Sequence, residues 1–153
     1  MPDILKETSE KLLQLIIDAR ERFKAISEVE WSRVPAPGKW SKKQILGHLI
    51  DSSANNHLRF VRAQLADDVY RGIGYEQDFF VETQKYDDAD TQQLIDLWFS
   101  YNQHLGYIIT GIDTAKLNDA CYIGNNEPVP FSFVITDYVD HLQHHLSDII
   151  GTR

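Results

Sequence analysis

Three of the six histidines in this chain lie close together, in the segment Asp140–His145. His141 and His145 are four residues apart, so in a helix their imidazole rings project from the same face, about one turn apart. His144 projects in a different direction. Two imidazoles at this spacing can bind one metal ion. The segment therefore predicts two ligands of a metal site and leaves a third to be found elsewhere.

The best candidate for the third ligand is His48, in a segment that is also predicted to be helical. It flanks the apolar stripe of that helix, on the side it shares with Ser52, Asn55 and Arg59. A polar strip beside an apolar stripe is where a helix bundle places an internal site. Three histidines with an open coordination position are typical of catalytic zinc or nickel sites, with iron and manganese as further candidates.

Alternatives to a metal site stay open at this point. A histidine inside a helix bundle is more commonly a hydrogen-bonded core residue, and periodicity does not show whether the two helices are neighbours. The zinc-protease pattern His-Glu-x-x-His is absent, because residues 142–144 are Leu-Gln-His. Cys121 is interpreted as an ordinary small apolar residue rather than a nucleophile.

Composition limits the class of protein. The 153 residues are enough for a single domain over residues 1–153 with a sizeable core. No apolar run approaches the roughly 20 residues of a membrane span, and no secretory signal pattern is visible. The net charge of −8 argues against nucleic acid and against membranes as partners. A single cysteine excludes an internal disulfide and fits a cytoplasmic location.

Four segments with helical periodicity must position these histidines. Each is roughly 20 residues long, and the second begins with a capping box formed by Ser41 and Gln44. The segments are residues 3–26, Ser41 to about Leu65, Asp90 to near Gly111, and Ser132 to just before Gly151.

The connections between these helices are long for a simple up-and-down bundle. Residues 66–88 carry several aromatic side chains and no clear period, so we predict a long ordered loop. Residues 112–131 contain turn-forming residues around Gly124 and are predicted to form a small irregular hairpin. The simplest architecture is an all-α four-helix bundle with long loops between the helices, at least one of which could cross over.

Three blocks of this sequence resemble the DinB/YfiT-like superfamily of metal-dependent enzymes. They are Gly38–Ser41, Ile45–Ser52 and Asp140–His145. The resemblance covers essentially the whole chain. It implies a four-helix bundle of up-down-down-up topology in which His48, His141 and His145 bind a divalent metal ion. It also implies a homodimer and an activity as a metal-dependent hydrolase or a thiol-dependent transferase, with a small thiol as one possible substrate.

The chain departs from a common version of the family pattern after the last histidine, where Leu146-Ser147-Asp148 stands in place of Arg-Gly-Gln. Asp148 could hydrogen-bond to His145 in place of the missing glutamine, and Asp51 could do the same for His48, because metal-bound imidazoles usually need a partner for the second nitrogen. The alternative is that both acids are solvated.

The substrate is expected to enter from the end of the bundle, beside the 66–88 loop. Asn55, Asn56, Arg59 and Tyr138 are the predicted lining residues, with His144 and Ser52 as neighbours of the site. Arg59 could hold a substrate carboxylate, although an ordinary surface arginine is the simpler interpretation.

Two functions from different classes follow from these observations. The first is an enzyme that uses a divalent ion to generate a nucleophile from water or a thiol at neutral pH. The second is a non-catalytic bundle that binds a metal ion or a ligand, with a stress-related role as one version. The sequence identifies neither the metal nor the substrate.

Overall fold

The computed structural model describes residues 3–151, so residues 1, 2, 152 and 153 of the predicted domain lie outside the described residues. Its framework consists of four long helices, which confirms the predicted fold class. They are α1 (Ile4–Phe23), α3 (Lys42–Leu65), α5 (Thr91–Thr110) and α6 (Phe131–Ile150), with the short helices α2 (Glu28–Ser32) and α4 (Gln77–Thr83) in the connections.

Polar side chains begin several of these helices by accepting hydrogen bonds from free backbone amides. The predicted capping box of α3 is present, since Ser41 Oγ accepts from Gln44 N and the Gln44 side chain accepts from Ser41 N. Asp90 caps α5 with a single bond of this kind, since its side chain accepts from Gln93 N at 2.9 Å. The first helix ends at Phe23 rather than at residue 26, because the hydrogen bonds there tighten to residues three apart before α2 begins.

The helix that carries His48 lies antiparallel to the helix that carries the His pair. Lys42, at the start of α3, donates to the carbonyl oxygen of Ile149 at the end of α6. Farther along, the hydroxyls of Ser53 and Tyr138 are 2.7 Å apart. This pairing places the first turns of α3 beside the last turns of α6.

The remaining helices complete an up-down-down-up arrangement. Helices α3 and α5 run parallel, since Lys43 contacts the carbonyl of Ala89 before α5 begins and Gln64 contacts Asp113 after it ends. Helix α1 runs antiparallel to α5 and parallel to α6. The α3–α5 connection is therefore a crossover that returns the chain to the same end of the bundle.

The two long connections meet in a small sheet that the sequence analysis only partly predicted. Strand β1 (Val69–Gly72) pairs in parallel with β2 (Ala120–Ile123), and β2 pairs antiparallel with β3 (Val129–Pro130). The hairpin in residues 112–131 is present, but residues 66–88 contain a strand and helix α4 in addition to loop. A four-residue strand whose partner lies some fifty residues away leaves no readable period.

The core between the helices is apolar. The largest side chains with no or almost no exposed surface include Phe60, Trp98, Phe131 and Leu142. Burial of this surface is what holds the four helices together. Among residues 3–151, no helix is both long enough and apolar enough to cross a membrane.

Candidate metal centre

His48, His141 and His145 converge between α3 and α6. The antiparallel packing sets His48, in the second turn of α3, opposite two consecutive turns of α6. The ring centre of His48 lies 5.4 Å from that of His141 and 4.8 Å from that of His145, and the two rings on α6 are 4.5 Å apart. The structure thus brings together three residues that are up to 97 positions apart in the chain.

The nitrogen atoms of the three rings face one another. The Nε2 atoms of His141 and His145 are 3.1 Å apart, and one nitrogen from each of the three rings lies within 4.8 Å of the others. Two nitrogens that bind one zinc ion at about 2.1 Å in tetrahedral geometry are roughly 3.4 Å apart. The spacing on α6 therefore suits two ligands of one ion.

His48 is a buried histidine without a hydrogen-bond partner. Its side chain is 0% exposed, and neither Nδ1 nor Nε2 has a partner within residues 3–151. A buried polar group without a partner costs roughly 1–3 kcal/mol, so such groups are rare and need a reason. A core histidine would be hydrogen-bonded, whereas a metal ion would give one of these nitrogens a bond. The residues present fit a metal ion.

All three rings are held in the neutral form that metal binding requires. Burial, followed by the charges of His145 and His141, lowers the pKa of His48 to about 4. Burial also lowers the pKa of His141 and of His145. Asp137 opposes this effect at His141, and Asp148 opposes it at His145. At neutral pH each ring keeps a lone pair free for an ion.

The two acids that the sequence suggested as imidazole partners behave differently. Asp148 Oδ2 lies 3.4 Å from His145 Nδ1, close enough for its charge to act on that ring. Within residues 3–151, Asp51 forms no hydrogen bond or ion pair with His48. Its Oδ1 atom instead accepts hydrogen bonds from Tyr86 at 2.6 Å and from Gln84 at 2.7 Å.

The reason for the different position of Asp51 lies in the loop before α5. Gly47 has no side chain, and the ring of Tyr86 occupies the space that a Cβ atom would need. The Tyr86 hydroxyl therefore reaches the buried Asp51 and donates to its Oδ1 atom. The Oδ1 atom of Asp51 is thus bonded to Tyr86 and Gln84, and the expected hydrogen bond to His48 is absent among residues 3–151.

A cavity of about 730 Å³ adjoins the histidine cluster at His141. Its walls come from α3, from the segment before and into α4, from the β2–β3 hairpin and from α6. Of the predicted lining residues, Ser52, Asn56, Arg59 and Tyr138 are present in these walls. Asn55 is not among them, and its amide donates to the carbonyl of Asp51 at 2.9 Å. His144 is exposed and outside the cluster, with its ring 5.5 Å from that of His145.

Tyr138 lines the cavity but is tied into the core. Its side chain is 3% exposed, and its hydroxyl contacts Ser53 and donates to Asn102. Burial raises the pKa of this hydroxyl well above its ordinary value. The side chain therefore shapes the cavity, and its hydroxyl is already satisfied by protein groups.

Most of the cavity residues were not predicted from the sequence, among them Asp137 and Tyr75. Asp137 is four residues before His141, so Asp137, His141 and His145 form a ladder on one face of α6, and this spacing could have revealed it. Tyr75 also lines the cavity, but it lies in a segment without periodicity that gave no signal.

Comparisons with known proteins agree with this description. A family model described as the DinB superfamily matches residues 12–149. A solved structure, YfiT from Bacillus subtilis, is described as a probable metal-dependent hydrolase with an unusual four-helix bundle topology. The two chains are 16% identical and superimpose with a TM-score of 0.84, over 95% of this chain and 83% of YfiT. No curated protein matches the chain. At this identity, the likeness to YfiT establishes the fold alone.

Proposed function

The chain belongs to the DinB superfamily, and we propose that it is a hydrolase that depends on a divalent metal ion held by His48, His141 and His145. One observation carries the proposal. Three neutral imidazoles from two helices converge next to a cavity, and the most deeply buried of them has no other partner. The description of YfiT as a metal-dependent hydrolase supports the same reaction class.

The proposed ligand set suggests both the metal and its role. Three nitrogen ligands suit zinc or nickel best, with iron or manganese as further candidates. When bound, such an ion would polarise a substrate carbonyl group and lower the pKa of water toward roughly 7. The three imidazoles would leave a coordination position open, since the cavity adjoins the cluster at His141.

Asp137 is the proposed general base. Its carboxylate is exposed in the cavity wall, one helical turn before His141, and it acts electrostatically on that ring. There a carboxylate oxygen can accept the proton of an attacking water molecule and later return it to the leaving group. This position takes the role that the missing glutamate of the zinc-protease pattern plays in other enzymes.

Metal binding is tested first. Purified protein is loaded separately with zinc and nickel, dialysed, and analysed for metal content. We expect about one ion per chain for the wild type and a loss of this ion in His141→Ala. His144→Ala is the matched control, because it removes a neighbouring histidine that points away from the cluster, and it should keep the ion. Equal metal content in wild type and His141→Ala would contradict the proposed site.

Activity is tested on the loaded protein with a panel of esters, amides and thiol acceptors. Turnover of esters or amides that stops on chelation and returns with metal supports the hydrolase. Thiol transfer is the alternative reaction, and its thiol must come from a second substrate. Cys121 cannot supply it, because the side chain is 0% exposed and burial raises its pKa to about 11. Metal binding without turnover would favour the non-catalytic module.

Three further expectations belong to this proposal. The whole chain, residues 1–153, acts as one domain on a small molecule. It forms the homodimer that the family resemblance implies, which sedimentation equilibrium can check. It is located in the cytoplasm, where a protein with one cysteine needs no disulfide.

A further inference from the structure

The cavity beside His141 contains a single positively charged side chain among its described lining residues. Arg59 supplies it, whereas Glu76, Glu127 and Asp137 supply negative charges. Arg59 is half-buried, and Glu76, Glu127 and Asp137 are exposed. The cavity is therefore acidic around its exposed walls and cationic at one more enclosed point.

The guanidinium of Arg59 can donate more hydrogen bonds than the one it makes within residues 3–151. One nitrogen, Nη2, donates to the carbonyl oxygen of Ile73 at 3.2 Å, and no carboxylate within residues 3–151 forms an ion pair with the guanidinium. Burial lowers its pKa, and the nearby hydroxyls of Tyr75 and Tyr70 partly oppose this change. A guanidinium remains charged in proteins and presents a fork of N–H groups that matches a carboxylate. Such a group, partly withdrawn from water and without an anion, is suited to bind one from solution.

The neighbours of Arg59 add neutral donors. Tyr75 lines the same cavity as Arg59, and its ring packs against that of Phe80 at 4.9 Å. Burial and the charge of Asp51 raise the pKa of its hydroxyl, and Arg59 opposes this change. Ser52 is 4% exposed and lines the same cavity. The Asn56 amide nitrogen already donates to the carbonyl of Ser52 at 2.9 Å. Among these neighbours, Arg59 and the Tyr75 hydroxyl are the groups left for an incoming anion.

We propose that Arg59 and Tyr75 form a carboxylate-binding subsite of the cavity that adjoins the histidine cluster, so that the substrate is a small molecule with one carboxylate. The role of this molecule as a substrate rests on the proposed function. Its binding to Arg59 and Tyr75 does not depend on that function. The exposed acids of the cavity favour a remainder that is neutral or positively charged. The same acids disfavour phosphate, which carries more negative charge than one arginine offsets.

The spacing along α3 separates Arg59 from the histidine cluster. Arg59 is eleven residues after His48, which is close to three full turns, so both residues lie on the same side of the helix. Their Cα atoms are then roughly 16 Å apart along the helix axis. A molecule that contacts Arg59 and is cleaved at the histidines must therefore span the part of this distance that the side chains do not cover.

Binding is tested on metal-free protein, so that the result does not depend on catalysis. The probes are monomethyl glutarate, which has one carboxylate, dimethyl glutarate, which is neutral and similar in size, and inorganic phosphate. Ligand-observed NMR titrations measure the dissociation constant of each. We expect wild-type protein to prefer monomethyl glutarate over both other probes. Loss of a charge-assisted hydrogen bond in Arg59→Gln should weaken its binding roughly ten- to hundredfold.

Two further variants separate the subsite from general effects. Arg62→Gln removes the same charge from the next turn of α3, where the side chain is exposed and not among the cavity residues, and it should bind like wild type. Tyr75→Phe keeps the ring against Phe80 and removes only the hydroxyl, so it should weaken binding severalfold. Circular dichroism confirms that each variant is folded.

The possible outcomes each support or overturn the subsite. Weaker binding in Arg59→Gln and Tyr75→Phe, with Arg62→Gln unchanged, supports it. Equal affinity of wild type and Arg59→Gln overturns it, as does equal or tighter binding of phosphate or dimethyl glutarate. If the subsite is present but His141→Ala retains its metal, the proposed metal site fails and the carboxylate subsite stands.

Discussion

At the scale of single residues, His48 is the most informative of the three clustered histidines, because it lies far from the other two in the sequence. The pair on α6 was visible from its spacing, whereas His48 became a ligand candidate only through its position beside an apolar stripe and through the resemblance. Its missing hydrogen-bond partners could not be predicted, because they depend on which side chains from other elements approach it. Asp51 shows this directly, since a tyrosine from a distant loop takes the carboxylate that the sequence assigned to His48.

The proposed base provides a prediction about one side chain. Asp137→Asn keeps the size and position of Asp137 but removes its ability to accept a proton. We expect kcat/KM for the best ester or amide substrate to fall by about 10²-fold or more, with metal content unchanged. Steady-state kinetics and metal analysis on the same preparation check this. A change of less than threefold would show that another group accepts the proton.

The low pKa of His48 predicts that acid destabilises the metal-free protein. Its pKa is 6.5 when unfolded and about 4 in the fold, so on acidification the unfolded state binds the proton first. The contribution of the neutral His48 ring to the free energy of unfolding is therefore present above pH 6.5, and it is lost as the pH falls toward about 4. That interval corresponds to about 3 kcal/mol in the free energy of unfolding.

Urea unfolding at a series of pH values measures this effect, and His48→Gln is the reference. The variant lacks the titrating ring, so its free energy of unfolding should fall less steeply between pH 6.5 and 4 than that of wild type. Parallel curves for the two proteins would mean that His48 titrates normally. The comparison removes the contribution of the carboxylates, which titrate in both proteins.

At the scale of elements, the helices were predictable and the connections were predictable only in part. Helical periodicity and capping residues placed α3, α5 and α6 to within about two residues, because both signals are local in sequence. The sheet depends on pairing between Val69–Gly72 and Ala120–Ile123, which are far apart in the chain. The loop that carries Tyr75 and Tyr86 is likewise positioned by long-range contacts. The cavity walls from α3 and α6, and the place of the cavity beside the 66–88 loop, could therefore be anticipated, whereas the residues that line it from the loop and the hairpin could not.

The contact between α3 and the loop before α5 provides a second prediction at this scale. In Gly47→Ala the new methyl group would overlap the ring of Tyr86, which is 6% exposed and holds Asp51. We expect a loss of roughly 1–3 kcal/mol in the free energy of unfolding, as for overpacked cores. Urea denaturation measures it.

Gly111→Ala is the control for this experiment. Gly111 follows α5 with a negative φ of −98°, and an added Cβ would lie 3.7 Å from the carbonyl oxygen of Ile108, which is ordinary van der Waals contact. This variant should be close to wild type in stability. If Gly47→Ala is equally stable, then Tyr86 moves aside without cost and does not fix the position of Asp51.

At the scale of the whole molecule, the proposed ion would join helices that the apolar core already holds together. The core lies between all four helices and contains fully buried side chains such as Phe60, Trp98 and Leu142. The fold should thus form without metal, in contrast to small zinc-dependent domains that unfold without it. The architecture was predictable at this scale, because four amphipathic helices of similar length have few ways to bury their apolar faces.

Metal removal is therefore predicted to lower stability without unfolding the protein. With free zinc at about 100 times its dissociation constant, binding adds about 2.7 kcal/mol. For a protein of this size, the Tm should rise by roughly 5–10 °C over the metal-free form. Calorimetry with zinc and with a chelator measures the shift, and far-ultraviolet circular dichroism should be unchanged at 25 °C. A zinc-induced shift of the same size in His141→Ala would place the ion elsewhere.

Trp40 lies close enough to the histidine cluster for its fluorescence to respond to changes there. Its ring lies 5.0 Å from the ring of His48, at 40° to it, just before α3 begins. The other tryptophans, Trp31 and Trp98, pack against Phe23 in the core. A change in the electronic state of the imidazole should alter the fluorescence of Trp40, so the intrinsic emission of the unlabelled protein should report occupancy of the site. Trp40→Phe should abolish that signal while metal binding, followed by calorimetry, persists.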